Sequence, residues 1–315
     1  MGRPEGVPGG VSVTVKLSIP REEYVIGGHL GCLGCGAVLA MRYLLKGLGP
    51  RTILSIPACC WAVLSGAYPK AYLSVPFVNT AFESTGASIA GVRAALEVRG
   101  VDDVAVVGFA GDGGTADIGL QALSGFMERG DDAIYVMYDN EAYMNTGIQK
   151  SSSTPYGAWT TTTPVRSGKG GKDQPKKDMM GIVLAHRVPY AATASVGFPE
   201  DLVKKARKAR EIRGPKFLQI LSPCPPGWRF STEKTVEVAR LAVDTKVFPI
   251  YEVEAGVYKI NRKPYKPKPV TDYLRMQNRF AHFTDDMTER FQREVNQGWE
   301  RLLRIEEVTA ERPLW

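Results

Sequence analysis

Two apolar runs joined by a helical pattern constrain the fold of this chain more than any other feature. Residues 104–109 and 133–137 have the length of buried strands, and glycines bound the first run. Residues 117–127 between them carry apolar side chains at helical spacing. A strand, a helix and a second strand form a βαβ unit, in which ligands gather beyond the carboxyl ends of the strands. The sequence therefore predicts an α/β fold with a binding site at that end of the sheet.

Oxygen-bearing side chains stand where both predicted strands stop. Asp112 follows the first strand within the sequence GDGG, residues 111–114, and Asn140 follows the second. Magnesium binds one or two carboxylates together with phosphate oxygens, and glycine lets the backbone come close to a phosphate. We interpret this pair as a diphosphate–magnesium site. A strand-to-helix turn with a capping aspartate is the alternative that GDG alone leaves open.

The five cysteines occur at spacings that suit a metal centre. Cys32 and Cys35 lie three positions apart, Cys59 and Cys60 are adjacent, and Cys224 stands between two prolines. Four thiolates can hold a 4Fe-4S cluster or a zinc ion. The wide scatter of the cysteines along the chain favours a buried cluster over a zinc site, and unrelated buried cysteines are the third alternative.

Composition favours a cytoplasmic protein. The 315 residues are 44% hydrophobic, contain no run of 18 apolar residues and do not begin with a signal peptide. Cysteines in a cytosolic chain favour metal or redox chemistry over disulfides. The net charge of +7 suits an acidic partner, which keeps a zinc-binding, nucleic-acid-binding protein as an alternative. A nucleotide-binding dehydrogenase is disfavoured, because residues 108–113 do not match GxGxxG.

Three longer strings extend these motifs. They are GDGGTADIGLQALSGFMERG from residue 111, DNEAYMNTG from residue 139 and STPYGAWTTTTP from residue 153. Together they resemble the beta subunit of a 2-oxoacid:ferredoxin oxidoreductase, most nearly the pyruvate type, over most of residues 24–283. The resemblance implies a doubly wound, mostly parallel α/β sheet of the thiamine diphosphate-binding type, with a C-terminal extension.

The resemblance also implies roles for individual residues. Asp112, Asn140 and the backbone carbonyl of Ala142 would hold Mg²⁺, and Asn145 and Thr146 would act as catalytic residues at the reacting end of the cofactor or substrate. The residues expected to bind thiamine diphosphate are Gly111, Asp112, Gly113, Gly114, Asn140, Ala142, Asn145 and His29. A bond to the local backbone is the alternative role for His29.

The cysteine motifs match the family pattern with one departure. The family has GHxxCxGCG, a Gly-Cys pair and SPCPxGW, which implies 4Fe-4S ligands at Cys32, Cys35, Cys60 and Cys224. Cys59 stands where the family has glycine and is expected to be a buried bystander. The segment around Phe82 also departs from the family pattern. Both departures lie near the cofactor in the family, so we expect pyruvate or, because of these changes, oxalate as the substrate.

Three regions are expected along the chain. Residues 1–20 are a Gly- and Pro-rich arm, residues 21–250 form the domain for thiamine diphosphate and the cluster, and residues 251–315 form a hairpin, a linker and a helical extension. The polar segment 150–177 is too long for a simple connector. It either wraps the active site, as in the family, or is a solvated surface loop.

The resemblance implies oxidative decarboxylation of a 2-oxoacid, with electrons passing through the cluster to ferredoxin. Alpha-, gamma- and delta-type subunits would be partners, coenzyme A is a candidate co-substrate, and neither nucleic acid nor membrane is expected as a partner. In related enzymes the carboxylate that activates the cofactor comes from another subunit or domain, so we expect this chain to be inactive alone. We also expect the cluster and the cofactor at the same edge of one sheet.

Overall fold

A computed structural model of the chain describes residues 18–67, 69–165 and 170–315. The arm expected at residues 1–20 lies outside the described residues, apart from its last three positions. Within the described ranges, no helix combines the length and the apolar character needed to cross a lipid bilayer.

A single mixed sheet forms the centre of the molecule. Its strands are β1 (Thr52–Pro57), β2 (Phe77–Thr80), β3 (Ala105–Gly111), β4 (Ile134–Asp139), β5 (Tyr190–Ser195), β6 (Lys216–Leu221), β7 (Ile250–Glu254) and β8 (Val257–Arg262). The strand order is β2-β1-β3-β4-β6-β5-β7-β8. Strands β1 to β6 run parallel, and the antiparallel hairpin β7–β8 joins at β5. The predicted α/β class with a mostly parallel sheet is confirmed, and the boundary expected after residue 250 falls inside β7.

Helices cover both faces of this sheet. They are α1 (Gly36–Leu48), α2 (Cys60–Leu64), α3 (Thr85–Val98), α4 (Asp112–Ala116), α5 (Leu120–Arg129), α6 (Met179–Leu184), α7 (Pro199–Glu211), α8 (Pro225–Trp228), α9 (Thr235–Asp244), α10 (Val270–Arg275) and α11 (Asp285–Glu311). Helices α1 and α7 share one apolar core with the sheet, whereas α3, α5 and α6 share the core on the opposite face.

Burial on both faces explains the continuous apolar runs in the sequence. In β3, Val107 and Phe109 belong to one core, and Val106 and Ala110 belong to the other. Every residue of β4, β5 and β6 is buried. Strands covered by helices on both sides read as unbroken hydrophobic segments instead of alternating ones.

Two local features differ from the sequence prediction. The helix expected over residues 117–127 begins later, at Leu120, and a separate short helix, α4, occupies Asp112–Ala116 before it. Asp117 leaves helical geometry with ψ of −96°, and its carboxylate accepts a hydrogen bond from the Tyr143 hydroxyl. The short edge strand β2 was not predicted, because none of its four residues is buried.

Substitutions at two glycines of α3 can test how closely this helix packs against α5. A Cβ atom on Gly86 would lie 2.3 Å from the Ala122 carbonyl oxygen, whereas a Cβ on Gly91 would have no neighbour within 4 Å. We expect Gly86→Ala to lower the free energy of unfolding by about 1–3 kcal/mol, because the helices must separate. Gly91→Ala should raise it by roughly 0.5–1 kcal/mol, because alanine is less flexible in the unfolded chain. Urea unfolding measures both, and equal effects would contradict the packing.

Candidate functional site

Four adjacent parallel strands end at the same edge of the sheet, and each is followed by predicted site residues. In the order β1, β3, β4 and β6, these residues are Cys59 and Cys60, Asp112, Asn140, and Cys224. The expectation that these segments meet at one edge is confirmed for the strands that carry them.

A pocket of about 150 Å³ opens at this edge. The whole GDGG turn, residues 111–114, and Cys60 line it. The loop after β4 supplies the other predicted members of its wall, which are Asn140, Ala142, Asn145 and Thr146. The structure thus brings together all the predicted cofactor residues except His29.

Three polar groups converge beside this pocket, namely the side chains of Asp112 and Asn140 and the carbonyl group of Ala142. The side-chain oxygen of Asn140 lies 2.8 Å from Oδ1 of Asp112 and 2.9 Å from the carbonyl oxygen of Ala142. Turning the amide would place its nitrogen there and make both contacts hydrogen bonds. This hydrogen-bonded orientation satisfies the three groups without a cation, whereas a bound cation would take the amide oxygen in place of the nitrogen. Magnesium–oxygen bonds of about 2.0–2.1 Å in an octahedral shell put neighbouring ligand oxygens about 2.9 Å apart. The three groups therefore fit magnesium.

The Asp112 carboxylate is buried, with 1% of its surface exposed. Burial raises its pKa well above the usual range, and the nearby charge of Asp139 raises this pKa further. The Ser151 hydroxyl, which donates to Oδ2 of Asp112, opposes this shift. A bound cation would favour the ionised form of Asp112 for the same electrostatic reason.

The polar segment after this loop wraps the site. Ser151 and Ser153 are buried, and Ser153 Oγ donates to Oδ1 of Asp139 at 2.8 Å. Lys172 is also buried, and its Nζ donates to the carbonyl oxygen of Ser152 at 2.9 Å. The alternative of a solvated surface loop is therefore wrong for these residues. The length of the polar segment was the sequence signal that it is more than a connector.

Glu141 links this loop to the half-buried cation of Lys176 and the buried cation of Arg279. Nζ of Lys176 lies 2.7 Å from a carboxylate oxygen of Glu141 and 2.7 Å from one of Asp139. Burial alone would raise the pKa of Glu141, but the charges of Lys176 and Arg279 outweigh it and hold this pKa below its usual range. Glu141 adopts φ of 66°, a left-handed conformation that costs a non-glycine residue roughly 1–2 kcal/mol. The pairing of Lys176 and Arg279 with Glu141 was not predicted from the sequence, because neither cation lies in one of the motifs.

Aromatic rings explain two of the glycines in GDGG. A Cβ on Gly113 would lie 2.3 Å from the Tyr143 ring, and a Cβ on Gly114 would lie 3.0 Å from the Phe82 ring. From the sequence, these glycines were expected to let the backbone come close to a phosphate. In the structure, they also admit the rings that cover the turn.

The predicted catalytic residues Asn145 and Thr146 lie at the exposed rim of the pocket. The side chain of Thr146 is held locally, because its hydroxyl bonds with the side chain of Gln149. Nε2 of Gln149 donates back to the Thr146 carbonyl oxygen at 2.8 Å.

The cysteine loops approach one another across the sheet edge. Gly36, directly after Cys35, donates through its backbone N–H to the Pro223 carbonyl oxygen at 3.1 Å. Burial raises the pKa of Cys60, and the charges of Cys59, Cys35, Cys224 and Cys32 raise it further. Burial raises the pKa of Cys224 to about 12. All five thiols are free.

The thiols do not form a closed metal site. Within residues 18–67, 69–165 and 170–315, no three His, Cys, Asp or Glu side chains are grouped so as to hold a metal ion. Cys32 is exposed and, with Cys35 and His29, lines a second groove of about 850 Å³. Nδ1 of His29 accepts a bond from Gly31 N at 3.2 Å, which is the local backbone role weighed for it. His29 is thereby separated from the other predicted cofactor residues.

Comparison with known proteins identifies the family. Residues 59–220 match the thiamine pyrophosphate enzyme, C-terminal TPP-binding domain. The ketoisovalerate oxidoreductase subunit VorB of Pyrococcus furiosus is 53% identical over 304 residues, which cover 94% of this chain and 98% of that protein. The pyruvate synthase subunit PorB of Methanocaldococcus jannaschii is 50% identical over 290 residues, which cover 90% and 97%. The chain belongs to the beta subunits of 2-oxoacid:ferredoxin oxidoreductases.

This membership confirms the resemblance found in the sequence motifs, and it replaces the zinc-binding, nucleic-acid-binding alternative. A solved 2-oxoglutarate:ferredoxin oxidoreductase from Magnetococcus marinus has the same fold, with a TM-score of 0.56 and 20% identity. The alignment covers 71% of this beta subunit and 82% of that chain.

Proposed function

We propose that this beta subunit holds thiamine diphosphate through a magnesium ion bound by Asp112, Asn140 and the Ala142 carbonyl. In its complex it serves the oxidative decarboxylation of a 2-oxoacid with an apolar side chain, and a 4Fe-4S cluster carries the electrons towards ferredoxin. The observation that carries this proposal is the position of the Asn140 side-chain amide beside the GDGG turn, 2.8 Å from Oδ1 of Asp112 and 2.9 Å from the Ala142 carbonyl oxygen.

Thiamine diphosphate supplies the nucleophilic carbon and the electron sink that decarboxylation of a 2-oxoacid requires. The role of this chain is to orient and enclose the cofactor. Asp112 and Asn140 fix the diphosphate end, because both side chains are buried and cannot reorient freely. Asn145 and Thr146 lie at the exposed rim, where a reacting group from the partner side can reach them.

The cluster would be held by Cys32, Cys35, Cys60 and Cys224. Proximity supports this set, because Cys35, Cys224 and Cys32 all lie near enough for their charges to act on Cys60, as does the adjacent Cys59. The contact between Gly36 and Pro223 supports it as well, because that contact joins the first cysteine loop to the last one.

The chemistry of the pocket supports an apolar 2-oxoacid. Ala58, Cys59, Phe82 and Met144 contribute to its wall, and among the described residues no Lys, Arg or His side chain lines it. The relatives at 53% and 50% identity are named for ketoisovalerate and pyruvate. Oxalate, the other substrate considered from the sequence, has a second carboxylate that would need a cation or solvent here.

Partner subunits are needed to complete the site. A volume of about 150 Å³ is smaller than the roughly 300–1,000 Å³ of ordinary small-molecule pockets. We infer that alpha-, gamma- and delta-type subunits supply the remaining walls, the group that activates the cofactor, and the route to ferredoxin.

The magnesium assignment predicts the effect of Asp112→Ala in the assembled complex. Affinity for thiamine diphosphate should fall by more than about 100-fold, because the substitution removes a magnesium ligand itself and not merely a residue that orients one. Iron content should remain unchanged. Asn140→Asp should have a milder effect, because an oxygen ligand survives. Titration calorimetry and iron analysis measure these effects.

Asp132→Ala is the matched control for Asp112→Ala. Asp132 precedes β4 at the opposite edge of the sheet and accepts a bond from Arg213 Nη1 at 2.8 Å. This variant should lose stability and keep cofactor affinity. Normal cofactor binding by Asp112→Ala would refute the magnesium assignment.

The cysteine assignment predicts which thiols retain iron. Serine at Cys32, Cys35, Cys60 or Cys224 should lower the iron content of the complex and its absorbance near 400 nm, because serine is a poor ligand for the cluster. Cys59→Ser should retain both, because Cys59 is not one of the four assigned ligands. The reverse result for Cys59 and Cys60 would show that the assigned register is wrong by one position.

The substrate proposal predicts the order of specificity. In the assembled complex, kcat/KM for pyruvate and 3-methyl-2-oxobutanoate should exceed kcat/KM for oxalate and 2-oxoglutarate, because the pocket offers no charge for a second carboxylate. Reduction of ferredoxin, with and without coenzyme A, measures this order. Faster turnover of oxalate would contradict the apolar specificity.

A further inference from the structure

Arg279 is a buried cation contributed by the C-terminal part of the chain. It lies in the 3-10 helix Asn278–Phe280, and 2% of its surface is exposed. Its Nη2 donates to Oε2 of Glu141 at 2.6 Å and to the Tyr273 hydroxyl at 3.3 Å. Its Nε donates to Oε1 of Gln277 at 2.9 Å. These bonds fix the plane of the guanidinium group.

The same guanidinium group stacks on Trp228, 3.8 Å from the centre of the ring. Trp228 is fully buried, and its Nε1 donates to the Asn140 carbonyl oxygen at 2.7 Å. The backbone N–H of Trp228 donates to the Cys224 carbonyl oxygen at 2.8 Å. Arg279 therefore contacts Glu141, which lies in the loop of Asn140. It also contacts Trp228, which hydrogen-bonds to the carbonyl oxygens of Asn140 and Cys224.

Glu141 is the residue through which the first contact acts. It lies between Asn140 and Ala142, so its left-handed conformation sets the directions of both oxygen groups. Lys176 binds one carboxylate oxygen at 2.7 Å, and Arg279 binds the other at 2.6 Å. A carboxylate held at both oxygens cannot rotate, and the turn at residues 140–142 is held with it.

We propose that Arg279 is a positioning residue of the cofactor site. By holding Glu141 and Trp228, it fixes the turn at residues 140–142 relative to the loop of Cys224. The C-terminal segment then contributes to the geometry of the cofactor site through Arg279. This inference rests on the magnesium assignment made under the proposed function, and it adds a residue that touches neither the cofactor nor the proposed ligand atoms.

Arg279→Met in the assembled complex tests this role. Methionine keeps an unbranched apolar side chain over Trp228 and removes the bond to Glu141. We expect the affinities for thiamine diphosphate and for Mg²⁺ to fall by about 10–100-fold, as they do when a group that orients a metal ligand is removed. Titration calorimetry gives both affinities without an activity measurement, and the unfolding midpoint is recorded in parallel.

Arg93→Met is the matched control. Arg93 is also 2% exposed, and it pairs with Glu97 at 3.0 Å and Asp102 at 3.3 Å near the opposite edge of the sheet. It should lower the unfolding midpoint and leave both affinities as in the wild type. Loss of affinity in Arg93→Met as large as that in Arg279→Met would overturn the proposal, because general destabilisation would then explain both.

The double variant Glu141→Gln/Arg279→Met separates positioning from charge balance. It removes the carboxylate together with its partner, so stability should recover relative to Arg279→Met. We expect affinity to stay low, because the turn has lost its anchor. Recovery of full affinity, or wild-type affinity in Arg279→Met, would refute positioning by Arg279. A wild-type complex that needs no Mg²⁺ to bind the cofactor would instead refute the proposed function.

Discussion

Burial of the central parallel strands on both faces is the constraint on which the site depends. Strands β4, β5 and β6 are enclosed along their whole length, so their sequences are almost entirely apolar. Polar chemistry is therefore concentrated at the ends of the strands and in the residues that follow them. Because β1, β3, β4 and β6 are neighbours and parallel, those residues meet at one edge. The position of the pocket is a consequence of strand order.

Several carboxylates lie close together at this buried edge, and each of them needs a cation or a hydrogen-bond donor nearby. Lys176 bridges Asp139 and Glu141, and Arg279 completes the pairing of Glu141. Asp112 receives a hydroxyl from Ser151, and burial raises its pKa well above the usual range. A buried carboxylate without a full partner is costly. The protein's own cations neutralise the supporting carboxylates, and the proposed magnesium ion would neutralise Asp112.

The C-terminal segment is integrated with this arrangement. The hairpin β7–β8 extends the sheet beside β5, and Arg279 reaches the loop after β4. Residues far apart in the chain thereby stabilise one turn. The small pocket volume and the exposed rim at Asn145 and Thr146 would leave the other side of the site to the proposed partner subunits.

The sequence by itself determined the βαβ unit, the parallel sheet class, and the placement of Asp112 and Asn140. These follow from local patterns, in which an apolar run and the residues just after it lie within a few positions. Tertiary structure decided which groups support them. Glu141 and Arg279 are 138 positions apart, and the Tyr143 ring covers Gly113 from another loop. No local pattern encodes such contacts, because they exist only once packing brings distant side chains within bonding distance.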